Sequence, residues 1–293
     1  MWRKPLRTRQ HKNRNKGPFV LIPGFADSPL SWLPTITMLQ SDLSKHFDEL
    51  VLIEFPGFHG YLFNEPCFDS IDSMVNVSVS ALDALNPHTV MGHSLGGALA
   101  AHYAAIRGVT YPHETNLKQV LLIAPSGVFV DRDFRVKIEN RIRELVENGI
   151  ECLRELRPSL LEKENRLHRL VGELMTFASQ EEIRQFVRSF RDDHLLEPLL
   201  PQVKAQVDLV WGEKDSLIPP AVIPCWLSAL KQTSTRVIEL EGVGHAPQFE
   251  APVKLTSVLS RLIQPVPAPQ VVGLNPGDPQ ADPFSAEIFS LLR

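Results

Sequence analysis

Three side chains in this 293-residue chain have the types that together turn a hydroxyl into a nucleophile: Ser94, Asp215 and His245. A serine hydroxyl reacts poorly until a base removes its proton, and a neutral imidazole has its proton affinity near working pH. His245 stands in Gly244-His245-Ala246-Pro247, a loop setting suited to that base. Asp215 would accept a hydrogen bond from the other imidazole nitrogen, fix the tautomer and stabilise the imidazolium. Ser94 lies in Gly92-His93-Ser94-Leu95-Gly96, where glycines two residues to either side leave room for a strained turn. The chemistry also needs donors for a developing oxyanion. The backbone amides of Leu95, opening the helix after Ser94, and of Phe25, in the loop after the first core strand, are the candidates.

Neighbouring residues compete for some of these roles. Asp131 and Asp133 follow a different strand and remain alternative sources of the acid. His93 flanks the nucleophile and reads as a residue packed near the turn, and His102 lies two turns along the next helix. Asp27 and Ser28 suit turn hydrogen bonds that hold the Phe25 loop in shape. Trp32, Phe58, Phe129 and Phe134 are candidates for the wall of an acyl pocket, in places where aromatics also serve as plain core.

The elements that must position these groups follow from the hydrophobic pattern. Phe19 to Ile22 is a short apolar run closed by Pro23-Gly24, and Leu50 to Phe55 is another, closed by Pro56-Gly57. Trp32, Ile36, Leu39 and Leu43 fall at helical spacing between them. Ile71 to Leu85 fits both periods, but two parallel strands need a crossover, so helix is expected. Thr89 to Met91 leads into Ser94, and the alanine-rich helix after it is expected to stop near Gly108. Lys118 to Ala124, Val207 to Trp211 and Thr235 to Leu240 are further strands. Helices are expected near Pro220 to Leu230 and over Ala251 to Ile263. This order predicts an α/β protein with a mostly parallel sheet of about six strands flanked by helices. In such sheets the loops at the carboxyl ends of strands gather on one edge, and Ser94, Asp215 and His245 all lie just past strand ends.

The remaining segments differ in texture. Residues 126–201 are dense in both signs of charge with helical periodicity, and read as a helical cap inserted into a core of residues 17–125 and 202–263. Residues 1–16 carry seven Lys or Arg and no acid, leaving 23 bases against 34 acids in the remainder. They read as a solvated, disordered arm, with contact to an anionic membrane surface as the minor alternative. Residues 264–293 form a proline-rich tail. Hydrophobic residues at 43% and charged residues at 22% are those of a globular protein, and no apolar run reaches membrane-spanning length. Three widely spaced cysteines, Cys67, Cys152 and Cys225, match neither a disulfide framework nor a zinc pattern, so a reduced, cytoplasmic protein is expected. No cofactor, metal or nucleic acid is called for, only a small-molecule acyl substrate.

Taken together, Ile22 to Ser28, Gly92 to Gly97, Trp211 to Pro219 and Gly242 to Pro252 resemble the α/β-hydrolase fold superfamily, in the order serine, acid, histidine. The resemblance covers roughly residues 17 to 263. It implies a carboxylic ester hydrolase acting through an acyl-enzyme, or a relative with the same triad such as a thioesterase or carbon–carbon bond hydrolase; a ligand-binding protein on the same fold is the non-catalytic alternative. Two departures stand out. Pro23-Gly24 occupies the place where most members have His-Gly, and only a basic arm precedes the first parallel strand, where most carry an antiparallel pair.

Overall fold

A computed structural model describes residues 2–6, 17–25, 27, 29–55, 68, 70–110, 116–131, 133, 136, 137, 140, 185, 186, 188–191, 194–231 and 233–263. The strands are β1 (Trp2–Pro5), β2 (Pro18–Ile22), β3 (Glu49–Leu52), β4 (Thr89–His93), β5 (Gln119–Ile123), β6 (Gln206–Gly212) and β7 (Thr235–Leu240). The described α-helices are α1 (Leu33–His46), α2 (Ile71–Leu85), α3 (Leu95–Thr110), α4 (Ile223–Ala229), α5 (Pro247–Glu250) and α6 (Pro252–Leu262). One sheet runs in the order β1-β3-β2-β4-β5-β6-β7. Every pairing is parallel except that of β1 with β3.

Side-chain alternation divides the core between the two sheet faces. Val20 and Ile22 of β2 join a cluster with Leu82, Leu99, Tyr103 and Trp226. Phe19 and Leu21 point the other way, toward Trp32, Leu39, Leu43, Leu255 and Leu259. Segment 71–85, ambiguous in sequence, is helix α2. Ser70 caps it by accepting from the Ser73 amide at 3.3 Å, and Asn86 ends it at a left-handed φ of 45°. α3 runs past Gly108, where a stop was expected, to Thr110.

The N-terminus corrects the expectation of a sheet of about six strands behind a disordered arm. Trp2–Pro5 adds a seventh strand, antiparallel to β3, with Trp2 opposite Leu52 and Pro5 opposite Glu49. The Leu6 amide then donates to the Asp48 carbonyl at 2.9 Å, and its side chain is buried. Burying one leucine contributes about 2 kcal/mol. The basic residues also have a place: Arg3 and Lys4 are exposed on the outermost strand, where charge discourages further pairing. Arg3 lies 3.6 Å from Glu49, and Lys4 donates to Gln40 at 3.2 Å. Residues 7–16, most of the cap expected over 126–201 and the whole tail expected over 264–293 lie outside the described residues.

The strand order reverses between β2 and β4: β3 lies to one side of β2, and every later strand lies to the other. Loops leaving the carboxyl ends of β2 and β4 therefore flank the crevice where such sheets place their ligands. No helix among the described residues is long and apolar enough to cross a membrane.

One titration follows from the packing. Burial of His102 on α3, reinforced by the nearby His194 imidazole, holds its pKa below the ordinary imidazole range. The unfolded chain takes up that proton near pH 6.5, the native state only at lower pH, so stability falls as pH drops through about 6.5. Urea denaturation of His102→Gln beside wild type between pH 7 and 5 is expected to show a shallower loss in the variant.

Candidate active site

Ser94 closes β4 in the left-handed region, at φ 51°. For a residue with a side chain that conformation costs about 1–3 kcal/mol, so its surroundings must hold it. They do so through the backbone. The Ser94 amide donates to the Ile123 carbonyl at 2.9 Å, and the Ser94 carbonyl accepts from the Ala98 and Ser126 amides, both at 3.1 Å. The neighbouring glycines are required by contact. A Cβ on Gly92 would strike the Gly96 carbonyl, and one on Gly96 would strike the carbonyls of Ile22 and Pro23. Only bare backbone lets the start of α3 lie flush against the ends of β4 and β2.

The candidate acid and base lie just past adjacent strands, β6 and β7. His245, after β7, meets Ser94 Oγ through Nε2 at 3.1 Å and Asp215 Oδ2 through Nδ1 at 2.7 Å. The carboxylate accepts, so Nδ1 carries the proton and Nε2 is left able to receive one. Asp215 is 3% exposed. Its other oxygen accepts from the amides of Leu217 at 2.9 Å and Ile218 at 2.8 Å, which satisfies the buried charge. Asp131 and Asp133, the alternative acids, are both exposed.

Two loops carry this pair, and they are zipped together. The Lys214 amide donates to the Val243 carbonyl at 2.7 Å, and the Gly242 amide donates to Glu213 Oε2 at 2.8 Å. That Gly242 bond, aided by Lys214, holds the Glu213 carboxyl below its ordinary range. Glu250, in the single turn of α5, grips the histidine loop from below: its two oxygens accept from the amides of Gly244 at 2.7 Å and Ala246 at 2.8 Å, one on each side of His245. Sequence reasoning missed Glu213 and Glu250, although an acid five residues after a loop histidine, in the first turn of a helix, is a readable signal.

The loop after β2 passes over the nucleophile. A Cβ on Gly24 would stand 3.3 Å from the Ser94 Cβ and 2.9 Å from His93 Nδ1, so the backbone just before Phe25 lies close against Ser94. The four pocket candidates fare differently. Trp32 is fully buried in the layer of α1 and α6, and its Nε1 donates to Asp27 at 3.1 Å, so it is core and not pocket wall. Phe129 is partly buried, with its amide on Glu197 at 3.0 Å. Phe58 and Phe134 lie outside the described residues. An unanticipated aromatic, Phe186, stacks on Phe25 with ring centroids 5.9 Å apart and planes 9° from parallel. Among the described residues no group of three or more His, Cys, Asp or Glu side chains is gathered as a metal site would be.

Residues 19–257 match the model of the alpha/beta hydrolase family. The pimeloyl-[acyl-carrier protein] methyl ester esterase of Xylella fastidiosa strain M12 is 27% identical over 267 residues, 85% of this chain and 95% of that protein. Among solved structures, a thermophilic esterase from Thermogutta terrifontis superposes with a TM-score of 0.63 at 16% identity, covering 84% of this chain and 89% of its own. The enol-lactonase of Burkholderia xenovorans LB400 gives 0.61 at 18% identity, covering 86% and 93%. At such identities the structures speak for the fold alone.

The grip of Glu250 has a direct readout. In Glu250→Ala the Gly244 and Ala246 amides are expected to lose hydrogen-exchange protection, while amides of the central strands β4 and β5 keep theirs. Overall stability should fall by about 1–2 kcal/mol, measured by urea denaturation.

Proposed function

The chain belongs to the alpha/beta hydrolase family, and from that premise we propose that it is a serine hydrolase cleaving a carboxylic ester of a small or medium acyl group through an acyl-enzyme. The observation that carries this reading is His245 bridging Asp215 at 2.7 Å and Ser94 at 3.1 Å. In this reading Ser94 Oγ attacks the ester carbonyl carbon while His245 Nε2 takes its proton. The carbonyl oxygen becomes an oxyanion, met by the amides of Phe25 and Leu95. Collapse of that intermediate breaks the bond to the alcohol, which leaves with the proton from His245. Water then enters, gives a proton to His245 and attacks the acyl carbon; the acyl bond to Ser94 Oγ breaks, the carboxylic acid leaves, and His245 returns its proton to Oγ. Asp215 keeps its charge throughout and stabilises the imidazolium at each transfer.

The substrate class rests on the esterase relatives. Because the curated relative is named for a methyl ester on a carrier-bound acyl chain, esters of that kind belong among the substrates to be tried. The stacking of Phe186 on Phe25 supports a cap over residues 126–201 whose returning end meets the loop after β2. The three widely spaced cysteines support a reducing compartment, and on that ground we assign the protein to the cytoplasm.

A fluorophosphonate probe is expected to label wild-type protein at Ser94 and to leave Ser94→Ala unlabelled, as read by mass spectrometry of the modified peptide. A folded wild type that neither takes the label nor hydrolyses p-nitrophenyl esters of any acyl length would remove the enzyme reading. Asp215→Asn should retain the fold and lower kcat by about 10⁴; activity near wild type would return the role of acid to Asp131 or Asp133.

A further inference from the structure

Behind the serine, acid and histidine lies a second cluster of polar side chains that the mechanism above does not use. His93, 4% exposed, directs Nε2 at the backbone carbonyl of His245 at 2.8 Å. A carbonyl only accepts, so Nε2 carries the proton and the ring is held in one tautomer. Its other nitrogen lies 3.5 Å from Gln248 Nε2 and 4.0 Å from Asp27 Oδ2. That same Asp27 oxygen accepts from Gln248 Nε2 at 3.2 Å and from Trp32 Nε1 at 3.1 Å. The Trp32 ring stands edge-on to the His93 ring, with centroids 5.9 Å apart. Trp32 and Gln248 are themselves buried.

The members come from every part of the site. Asp27 is two residues past Phe25 in the loop after β2, and its amide donates to the Gly24 carbonyl at 3.2 Å. His93 is the residue before Ser94. Gln248 lies three residues past His245. One buried cluster thus ties the oxyanion loop, the nucleophile strand and the histidine loop, which are up to 221 positions apart in the chain.

We propose that His93 is a positioning residue for the reaction: it holds His245 through its backbone carbonyl, and Asp27, Gln248 and Trp32 hold His93. The inference rests on the triad reading above. The physical case is one of tolerance. His245 Nε2 must stay within hydrogen-bond reach of Ser94 Oγ, and displacement by about 1 Å can cost about 100-fold in rate. Loss of the His93 bond also leaves the His245 carbonyl short of a donor in a partly buried place, which favours movement of the loop. Because the cluster acts on geometry in the reaction and not on the acyl group, its loss should appear in kcat and leave KM nearly unchanged.

The test is hydrolysis of p-nitrophenyl butyrate by wild type, His93→Ala, His93→Gln, Gln248→Leu and the His93→Ala/Gln248→Leu pair, with Ser94→Ala as control. Melting temperature and near-ultraviolet circular dichroism check each fold. His93→Ala is expected to lower kcat about 10- to 100-fold with KM within about threefold. His93→Gln, whose amide nitrogen reaches nearly the same point, should recover most of that loss. Gln248→Leu should lower kcat on its own and add little to His93→Ala, since both act along one path. It also carries the test without any change beside the nucleophile, should His93→Ala fail to fold. Wild-type kcat in both His93→Ala and Gln248→Leu would overturn the inference, as would a folded His93→Gln no better than His93→Ala. If those results came with an inactive Ser94→Ala, the triad reading would stand and this one would fall. A fully active Ser94→Ala would overturn both.

Discussion

The architecture depends on one contact of backbone with backbone, where the first turn of α3 rests on the ends of β2 and β4. With Gly92 and Gly96 in place nothing separates the carbonyls of Ile22 and Pro23 from the start of the helix. A single methyl there would push α3 off the sheet. Flush contact accompanies the left-handed turn at Ser94, and Gly24 brings the loop after β2 close to the same residue. Small residues continue the approach along α3, where Ala100, Ala101, Ala104 and Ala105 are all buried. The reversal of strand order between β2 and β4 then sets that turn beside the crevice where such sheets place their ligands.

The histidine loop also lies flush on a strand end, since a Cβ on Gly212 would strike the carbonyls of Val243 and Gly244. Beyond that contact it is held by several modest bonds, each contributing about 1 kcal/mol net. Glu250 takes the amides on both sides of His245, Lys214 and Glu213 zip the loop to the acid strand, and His93 holds the His245 carbonyl. These bonds constrain different atoms from different directions. A loop tied at only one of them could swing about that one bond. Several weak bonds to one short segment can therefore fix a side chain as closely as one strong lock does, provided that they do not share a line of action.

Most of this fold was legible because its signals are local. α2 and β7 span the residues that period and topology assign to them, Ile71–Leu85 and Thr235–Leu240, and the turn at Ser94 follows from its own five residues. β1 was not legible. It has four residues, two of them basic and one a proline, and gains its strand character from β3 alone, 50 positions away at the Trp2–Leu52 pair, of which no local pattern gives notice. The cluster of Asp27, Trp32, His93 and Gln248 was illegible for a related reason. Each member has an ordinary local reading, a turn acid, an aromatic, a residue packed near the turn and a helix-start polar residue. Only the folded sheet reveals that they share one buried space. Trp32 marks the cost of reading such residues singly: it lies in the sequence where a pocket wall would, and its indole N–H is committed to Asp27.

Phe25, in the loop after β2, lays its ring on Phe186, in the returning segment of the cap expected over residues 126–201. Phe186 is fully buried, packs edge-on against Phe190, and Phe190 leads on to His194. The same returning segment is pinned to the start of α2, where Ser189 accepts from the Ile71 amide at 2.9 Å and Asp72 meets Arg191 and His194, each at 3.1 Å. Those ion pairs are largely exposed and contribute little. The aromatic column is what fixes the segment, since burial of a phenylalanine contributes about 2–3 kcal/mol. A group that displaced Phe186 would also release one side of Phe25, and with it the loop that carries a candidate oxyanion donor. The position of the returning segment and that of the loop after β2 are therefore coupled, because a single stacked pair of rings joins them.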